Sequence, residues 1–432
     1  MKYPPLNTKE LLDILGTTIK RDDDNKFIAF LCQLSAYTED SQLNLSFNAP
    51  SSSGKSFIPI EIAKLFPSED VLELGYVSPT SFFHSASEYN KETEEYLVDL
   101  SRKIIIFLDQ PHNMLLEHLR PLLSHDKKEI KVQITDKQQK NGLRAKKIVL
   151  RGYPAVIFCS AGLRMDEQEA TRFLLLSPEV TQEKIREGIL ESLKKASDRD
   201  SYNEKTELDL PRQQLKERIK AIREANISDI RITVEDQDYI IKHFFGLAVT
   251  LKPRHQRDIR RLIAIIKALA LLNLWHRKTE GSRIVASRID IDEAFDVWDR
   301  ISITQELNIP PYVYKLYEDI ILTTYKEKNA DCNDDFVEIT GTIGVTRQEI
   351  LNKHYTVYGR MLDTLTLRQQ ILPILNQVGL ITEELDPIDK RNKLIYPIIL
   401  PKYSESDGGV NVENKKILED VRQIFGGGEI IE

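Results

Sequence analysis

Leu43-Asn44-Leu45-Ser46-Phe47-Asn48-Ala49-Pro50-Ser51-Ser52-Ser53-Gly54-Lys55-Ser56 is the stretch on which the reading of this chain turns. Its first residues alternate apolar and polar as a strand does, a Pro/Ser/Gly turn follows, and Gly-Lys-Ser leads into Phe57-Ile58-Pro59-Ile60-Glu61-Ile62-Ala63-Lys64-Leu65. Strand, loop and helix with a lysine at the helix start is the layout of a phosphate-binding loop, with Ala49 in the first glycine position. Backbone N–H groups of such a loop, helped by the positive end of the helix, cradle nucleotide phosphates. Lys55 is placed to reach the outer phosphates and Ser56 a magnesium ion.

Downstream, Lys103-Ile104-Ile105-Ile106-Phe107-Leu108-Asp109-Gln110 carries an unbroken apolar run, the mark of a central parallel strand covered on both faces. It ends in an aspartate at the edge where open α/β sheets bind ligands, which makes Asp109 a Walker B candidate holding magnesium. Alone, this would read as a buried strand ending in a surface aspartate; the loop upstream changes the balance. Tyr153-Pro154-Ala155-Val156-Ile157-Phe158-Cys159-Ser160 is another buried strand with a small polar end. Thr80 to Leu100 reads as helix-like.

At 432 residues, 41% hydrophobic and 29% charged, the chain fits two or three globular domains. No apolar run reaches the roughly 20 residues of a membrane span, and Met1-Lys2-Tyr3-Pro4-Pro5 is no signal peptide, so a cytoplasmic protein is expected. Cys32, Cys159 and Cys332 are isolated, which points to burial, without a disulfide framework or zinc finger. The sequence from His112 through Glu117 and His118 to His125 lacks the HExxH spacing, and no zinc site is expected.

The net charge is -7, yet residues 127–152 are locally basic: Lys127, Lys128, Lys131, Lys137, Lys140, Arg144, Lys146, Lys147 and Arg151 meet only Glu129 and Asp136 within the segment. Alternation at 129–134, the Asn141-Gly142 turn signal and renewed strand character at 145–150 predict a β-hairpin. It is either a solvated hairpin or a nucleic-acid contact, with Lys131, Lys137, Lys140, Arg144, Lys146 and Lys147 as the contacting residues.

Elsewhere helices dominate. Asn7-Thr8-Lys9-Glu10 is a capping box for a helical lead-in over 1–40. Residues 234–303 read as an all-helical module whose middle helix opens with Arg254, Arg257, Arg260 and Arg261; cations there oppose the helix dipole and imply anionic partners. Residues 310–400 form a separate unit, with a Thr346-Arg347-Gln348-Glu349 capping box and two strands around Asp386-Pro387-Ile388-Asp389-Lys390-Arg391-Asn392. Helix, helix, helix and ribbon is the winged-helix order, used on DNA or on proteins. The glycine-rich tail from Tyr403 is expected to be mobile.

In this order the motifs resemble those of AAA+ ATPases, and within them the minichromosome-maintenance (MCM) helicases and MCM-like replication helicases of mobile elements. Ala49-Pro50-Ser51-Ser52-Ser53-Gly54-Lys55-Ser56 resembles Walker A, Ile104 to Gln110 Walker B, and the basic hairpin precedes a sensor-1 strand whose best candidate is Ser160. Thr171-Arg172-Phe173 resembles an arginine-finger turn, and Arg257-Asp258-Ile259-Arg260-Arg261 a sensor-2 helix. The resemblance implies an α/β P-loop NTPase core (41–180), a helical lid (181–305), a winged helix (306–402) and a flexible tail (403–432). It also implies ATP and Mg2+, single-stranded or forked DNA, and a hexameric ring. In that ring Arg172 would reach a neighbour's nucleotide while Arg257 closes from the lid.

Departures are as informative. Forty residues without paired cysteines cannot supply the N-terminal OB fold and zinc site of cellular MCM proteins, so a single motor tier is expected. Gln110 stands where a glutamate usually activates water; a glutamine can orient water but accepts no proton, which predicts slower hydrolysis, with Glu117 a weak substitute. Three functions follow: a DNA translocase or helicase, an ATP-switch initiator or loader, or a non-enzymatic DNA-bound adaptor.

Overall fold

The computed structural model describes residues 3–75, 77, 88–136, 144–162, 171–246, 251–329, 343–387 and 389–398, with the backbone alone for residues 88, 134–136, 144 and 145. Lys137, Lys140, the Asn141-Gly142 turn, Cys332 and the tail from Tyr403 lie outside them. The strands of the first half are β1 (Asn44–Asn48), β2 (Val71–Leu74), β3 (Glu88–Asn90), β4 (Glu95–Asp99), β5 (Ile104–Phe107), β6 (Glu129–Asp136), β7 (Arg144–Arg151), β8 (Ala155–Ser160) and β9 (Leu174–Leu176).

A five-stranded parallel sheet in the order β2-β5-β8-β1-β9 forms the centre. Because successive side chains point to opposite faces, the apolar runs seen in the sequence feed two cores. Ile104, Ile106, Ile157, Leu45 and Phe47 face one, Ile105, Phe107, Val156 and Phe158 the other. The second core is closed by the helix Asn113–Leu123 and by Val132, Ile148 and Leu150 of the hairpin. The edge strand β9 is protected by buried Gln305, whose amide exchanges hydrogen bonds with Leu175 N and O at 3.0 and 2.8 Å.

The hairpin β6–β7 belongs to a four-stranded sheet, β3-β4-β7-β6. Here the helical reading of Thr80 to Leu100 is corrected over 88–99, since 88–90 and 95–99 are strands; residues 80–87 lie outside the described residues. The charged run Lys91 to Glu94 is a turn: Asn90 Oδ1 accepts from Glu92 N at 2.9 Å, and Glu94 sits at φ 55°. Parallel pairing with β7 and the Tyr89–Tyr96 contact, ring centroids 4.7 Å apart, outweigh local helix preference.

The helices Gln182–Ser197, Arg199–Leu208, Leu210–Ala225, Val234–Gly246, His255–Leu272 and Arg288–Leu307 follow. They are not all-helical company: β10 (Asp229–Arg231), β11 (Lys278–Glu280) and β12 (Arg283–Val285) form a small sheet, with Gly281 at φ 65° making the β11–β12 turn. The helix His255–Leu272 packs on the N-terminal helix Asp23–Ser35, so one continuous core runs from Leu11 through the sheet face to Ile301. The Asn7 capping box is formed, with Glu10 N to Asn7 Oδ1 at 2.9 Å.

Residues 309–395 have their own core. A helical run from Pro311 to Lys328 includes a π-helical stretch, Tyr317–Leu322. Then come β13 (Val345–Thr346), the helix Arg347–Tyr358 opened by the Thr346/Glu349 capping box, helical turns over 364–377, β14 (Ile381–Leu385) and β15 (Lys393–Pro397). The last two pair antiparallel and β13 adds to β15.

Candidate functional site

The carboxyl ends of β1, β5 and β8 lie side by side, and this register gathers the loop residues, Asp109, Gln110 and Ser160. Ala49 N donates to Ser160 O at 3.2 Å, tying the loop to β8. Ala49 is fully buried and keeps a negative φ, so a methyl group fits where glycine is usual. The left-handed positions are Ser52 (φ 65°) and Gly54 (φ 89°). Only the second is glycine, so Ser52 carries strain that the surroundings must hold.

Buried Cys159 lies under the loop, its thiol donating to Lys55 O at 3.4 Å. Burial pushes this thiol up to about 12; Lys55 pulls it down and Asp109 raises it, which puts both charges close by. Asp109 is exposed, one oxygen accepting from Gln110 N at 2.8 Å. Ser160 Oγ donates to Gln110 Oε1 at 3.0 Å and accepts from Gly162 N at 3.0 Å. Gln110 is therefore held by the strand expected to carry sensor 1.

A cavity of about 800 Å³ opens beside Pro50–Gly54. Ile19, Ile58, Ile185 and Ile189 give it an apolar wall. Its lysines are balanced: Lys184 by Asp22, Lys20 by Glu191 at 3.6 Å, Lys195 by Glu61 at 4.0 Å. Lys184 Nζ also reaches Glu179 O at 2.9 Å. Ser53 Oγ is buried without a partner among the described residues. The volume is that of a small-molecule site, and an orphaned hydroxyl beside Lys55 is what a phosphate oxygen would satisfy. A nucleotide with magnesium fits these residues; Ser56 and Asp109 are the oxygen donors a hard cation takes alongside phosphate and water.

A second cavity, about 530 Å³, is lined by Arg172, Arg257, Arg260 and Arg261 together with Asp40, Ser124, His125 and Asp126. Arg257 stands at this second cavity. Its guanidinium donates to Thr171 Oγ1, next to Arg172, and it does not line the cavity of the loop. The cause is packing: the helix His255–Leu272 is fixed against Asp23–Ser35 in the main core and delivers its first turn to the Thr171–Phe173 turn.

Arg172 Nε donates to Ser124 Oγ at 2.9 Å. Buried Arg261 grips the turn, donating to Thr171 O at 2.5 Å and Phe173 O at 3.2 Å, and pairs with Asp258 at 2.7 Å. Burial lowers its pKa to about 10 despite Asp258. Arg254 also pairs with Asp258, at 3.2 Å. The anionic partner implied by the arginine-rich helix start is thus partly this internal aspartate. Arg261 was missing from the sequence-derived site, and its only signal was that cluster of arginines.

The hairpin is less naked than its own segment suggests. Lys131 pairs with Glu95 of β4 at 2.6 Å, Arg151 with Glu129 at 3.1 Å, and Lys128 with Glu39. Lys146 lies over the Tyr96 ring, 3.8 Å from its centroid. Arg144 is in β7, its side chain outside the described residues, and Lys147 sits opposite Glu95 in the register. Among the histidines, His112 caps its helix by accepting from Met114 N at 3.2 Å. His125 is half-buried, and loss of hydration there lowers its pKa to about 4.

No curated protein matches this chain. The crystal structure of a full-length MCM homolog from Methanopyrus kandleri is similar at 13% identity and a TM-score of 0.42; the match covers 68% of this chain and 59% of that one. No helix among the described residues is long and apolar enough to cross a membrane. The family model described as the MTBMA_p00010 P-loop domain matches residues 6–222, half of the sequence, from the N-terminal helices through the loop and the parallel sheet. With a parallel sheet that places a Gly-Lys-Ser loop and an aspartate at one edge, the chain belongs to the MTBMA_p00010 P-loop domain family, an α/β nucleotide-binding fold.

Proposed function

We propose that this chain is an ATP-dependent DNA translocase or helicase of a replication machinery, working as an oligomeric AAA+ ring, with residues 306–402 as a winged helix. The observation that carries the reading is the division of the site: Pro50–Gly54 of the loop line one cavity, with Lys55 and Asp109 both close to Cys159 beneath that loop, while Arg172 and Arg257 line another. Arginines so removed from their own loop suit the nucleotide of a neighbouring copy, joined head to tail around a ring. Both Arg172 and Arg257 act from the neighbour in this scheme, replacing closure of Arg257 from the lid of the same chain.

In the assembled site the loop Ala49–Ser56 holds the phosphates and Lys55 binds the outer ones. Ser56 and Asp109 would hold magnesium, which supplies positive charge to the phosphate oxygens when bound. Gln110, oriented by Ser160, positions the attacking water, a role a glutamine fills without taking a proton. Arg172 and Arg257 of the adjacent copy meet the charge of the transferring phosphoryl group. Motion of each subunit through this cycle would carry the hairpin, with Lys146 and Lys147 at its flank, along the DNA backbone.

The test is ATPase activity with and without single-stranded DNA, alongside strand displacement on forked duplexes and a mass measurement. An oligomer whose ATPase rises with DNA and that separates strands supports the reading; a purified oligomer inert on every fork opposes it. Gln110 favours a second reading, an ATP-switch initiator or loader. Under it, Gln110→Glu raises turnover at least about tenfold, in line with general-base contributions, and site-specific DNA binding persists without unwinding.

A further inference from the structure

The residues 309–395 do not hang free of the nucleotide-binding fold. Ser177 Oγ donates to Asn48 O at 2.6 Å, at the end of β1, and accepts from Tyr312 N at 3.0 Å. Gln182 Nε2 donates to Tyr358 O at 2.9 Å, and Gly359, at φ 66°, lies so close to Gln182 that an added Cβ would stand 3.0 Å from its amide nitrogen. These contacts hold the Tyr358–Arg360 turn over the cavity beside the loop, where Tyr312, His354, Tyr358 and Arg360 form its fourth wall. His354 bonds Arg360 O at 2.9 Å through one ring nitrogen and Tyr312 Oη at 3.3 Å through the other, so the arginine's backbone is fixed from inside its own unit.

Arg360 Nη1 donates to Ser51 O at 3.2 Å. Among the described residues no carboxylate lies within ion-pair distance of Arg360, whereas Lys20, Lys184 and Lys195 on the other walls each have one. Its partner is a neutral carbonyl of the loop, four residues before Lys55. An arginine bonds a phosphate more strongly than a carbonyl, by a charge-assisted and often bidentate contact. Arg257, the cation expected over this nucleotide, is committed to the other cavity.

We infer that Arg360 is the nucleotide site's own-chain cation, moving from the Ser51 carbonyl to the terminal phosphate of a bound triphosphate, so that the C-terminal unit takes part in telling triphosphate from diphosphate. This rests on the reading of the loop as a nucleotide site. A strap that merely braced Ser51 would affect both nucleotides alike; a contact to the terminal phosphate does not.

The experiment is calorimetric titration of the full chain with ATPγS and, separately, with ADP, both with magnesium. Arg360→Ala is expected to weaken ATPγS about tenfold, the scale of one charge-assisted hydrogen bond, and ADP less than about threefold. Arg360→Lys should recover part of the ATPγS affinity and Arg360→Gln none. Equal losses for the two nucleotides, or no loss for either, overturn the inference. Lys55→Ala separates the two levels: it should cost affinity for both nucleotides, and a Lys55→Ala chain that binds them as the wild type does would overturn the loop reading itself.

Discussion

Replacing Arg261 with leucine tests how the arginine turn is built. The residue is 8% exposed and its guanidinium bonds the Asp258 carboxylate and the carbonyls of Thr171 and Phe173. Removing one partner of a buried ion pair costs about 3–5 kcal/mol when the other is left alone. Asp258, however, keeps Arg254 at 3.2 Å. The loss is then mainly two carbonyls deprived of a donor, at about 1–3 kcal/mol each, offset by the desolvation that already lowers the pKa of Arg261. A net destabilisation of about 2–4 kcal/mol follows. Asp258→Leu should cost more, because it takes the counter-charge from two largely covered guanidinium groups at once. Urea unfolding followed by circular dichroism measures both. Arg261→Leu within about 0.5 kcal/mol of the wild type, or Asp258→Leu the milder of the two, would refute the strut.

Neutralising Lys137, Lys140 and Lys146 together should weaken single-stranded DNA binding and reduce the salt slope by up to about 0.7 for each phosphate left without its lysine, with nucleotide binding intact; unchanged affinity in filter binding would move the DNA site to residues 306–402, the winged helix of the proposal. Lys131→Ala, by contrast, should change DNA affinity little, because Lys131 is already paired with Glu95. His125 gives a pH signature. Its folded pKa of about 4 lies below the ordinary value of 6.5, so the unfolded chain binds the extra proton between these values. Its contribution is complete above pH 6.5 and falls as pH drops toward 4, by at most about 3 kcal/mol. His125→Phe should flatten the melting temperature across that window; an unchanged slope would contradict the desolvated neutral imidazole.

Local chemistry was legible wherever one segment decides its own shape. The Asn7 and Thr346 capping boxes are formed, and the Leu43–Asn48 and Ile104–Phe107 runs are neighbours but one in a single sheet, with β8 between them. Less was legible where distant partners decide. Residues 95–99 carry charges that suit a helix, and only β7, some fifty residues later in sequence, makes them a strand. Lys131 looks free until Glu95 is folded against it. Arg257 was placed by motif order over its own loop, yet a helix is a rigid rod, and the core packing of Leu262, Ile265 and Ile266 sets where its first turn ends. Ser52 at φ 65° could not be read from a serine at all.

The central claim, that one nucleotide is served by two chains, is tested most directly by mixing two inactive variants. Lys55→Ala lacks the loop lysine and Arg172→Ala the remote arginine, and each alone should lose about 10³-fold or more in ATPase rate. In randomly mixed rings made from equal amounts, about one interface in four joins an intact loop to an intact arginine. The account predicts recovery toward about a quarter of wild-type ATPase activity on mixing; mixtures as inactive as their components, in rings shown by mass to have exchanged subunits, would contradict it.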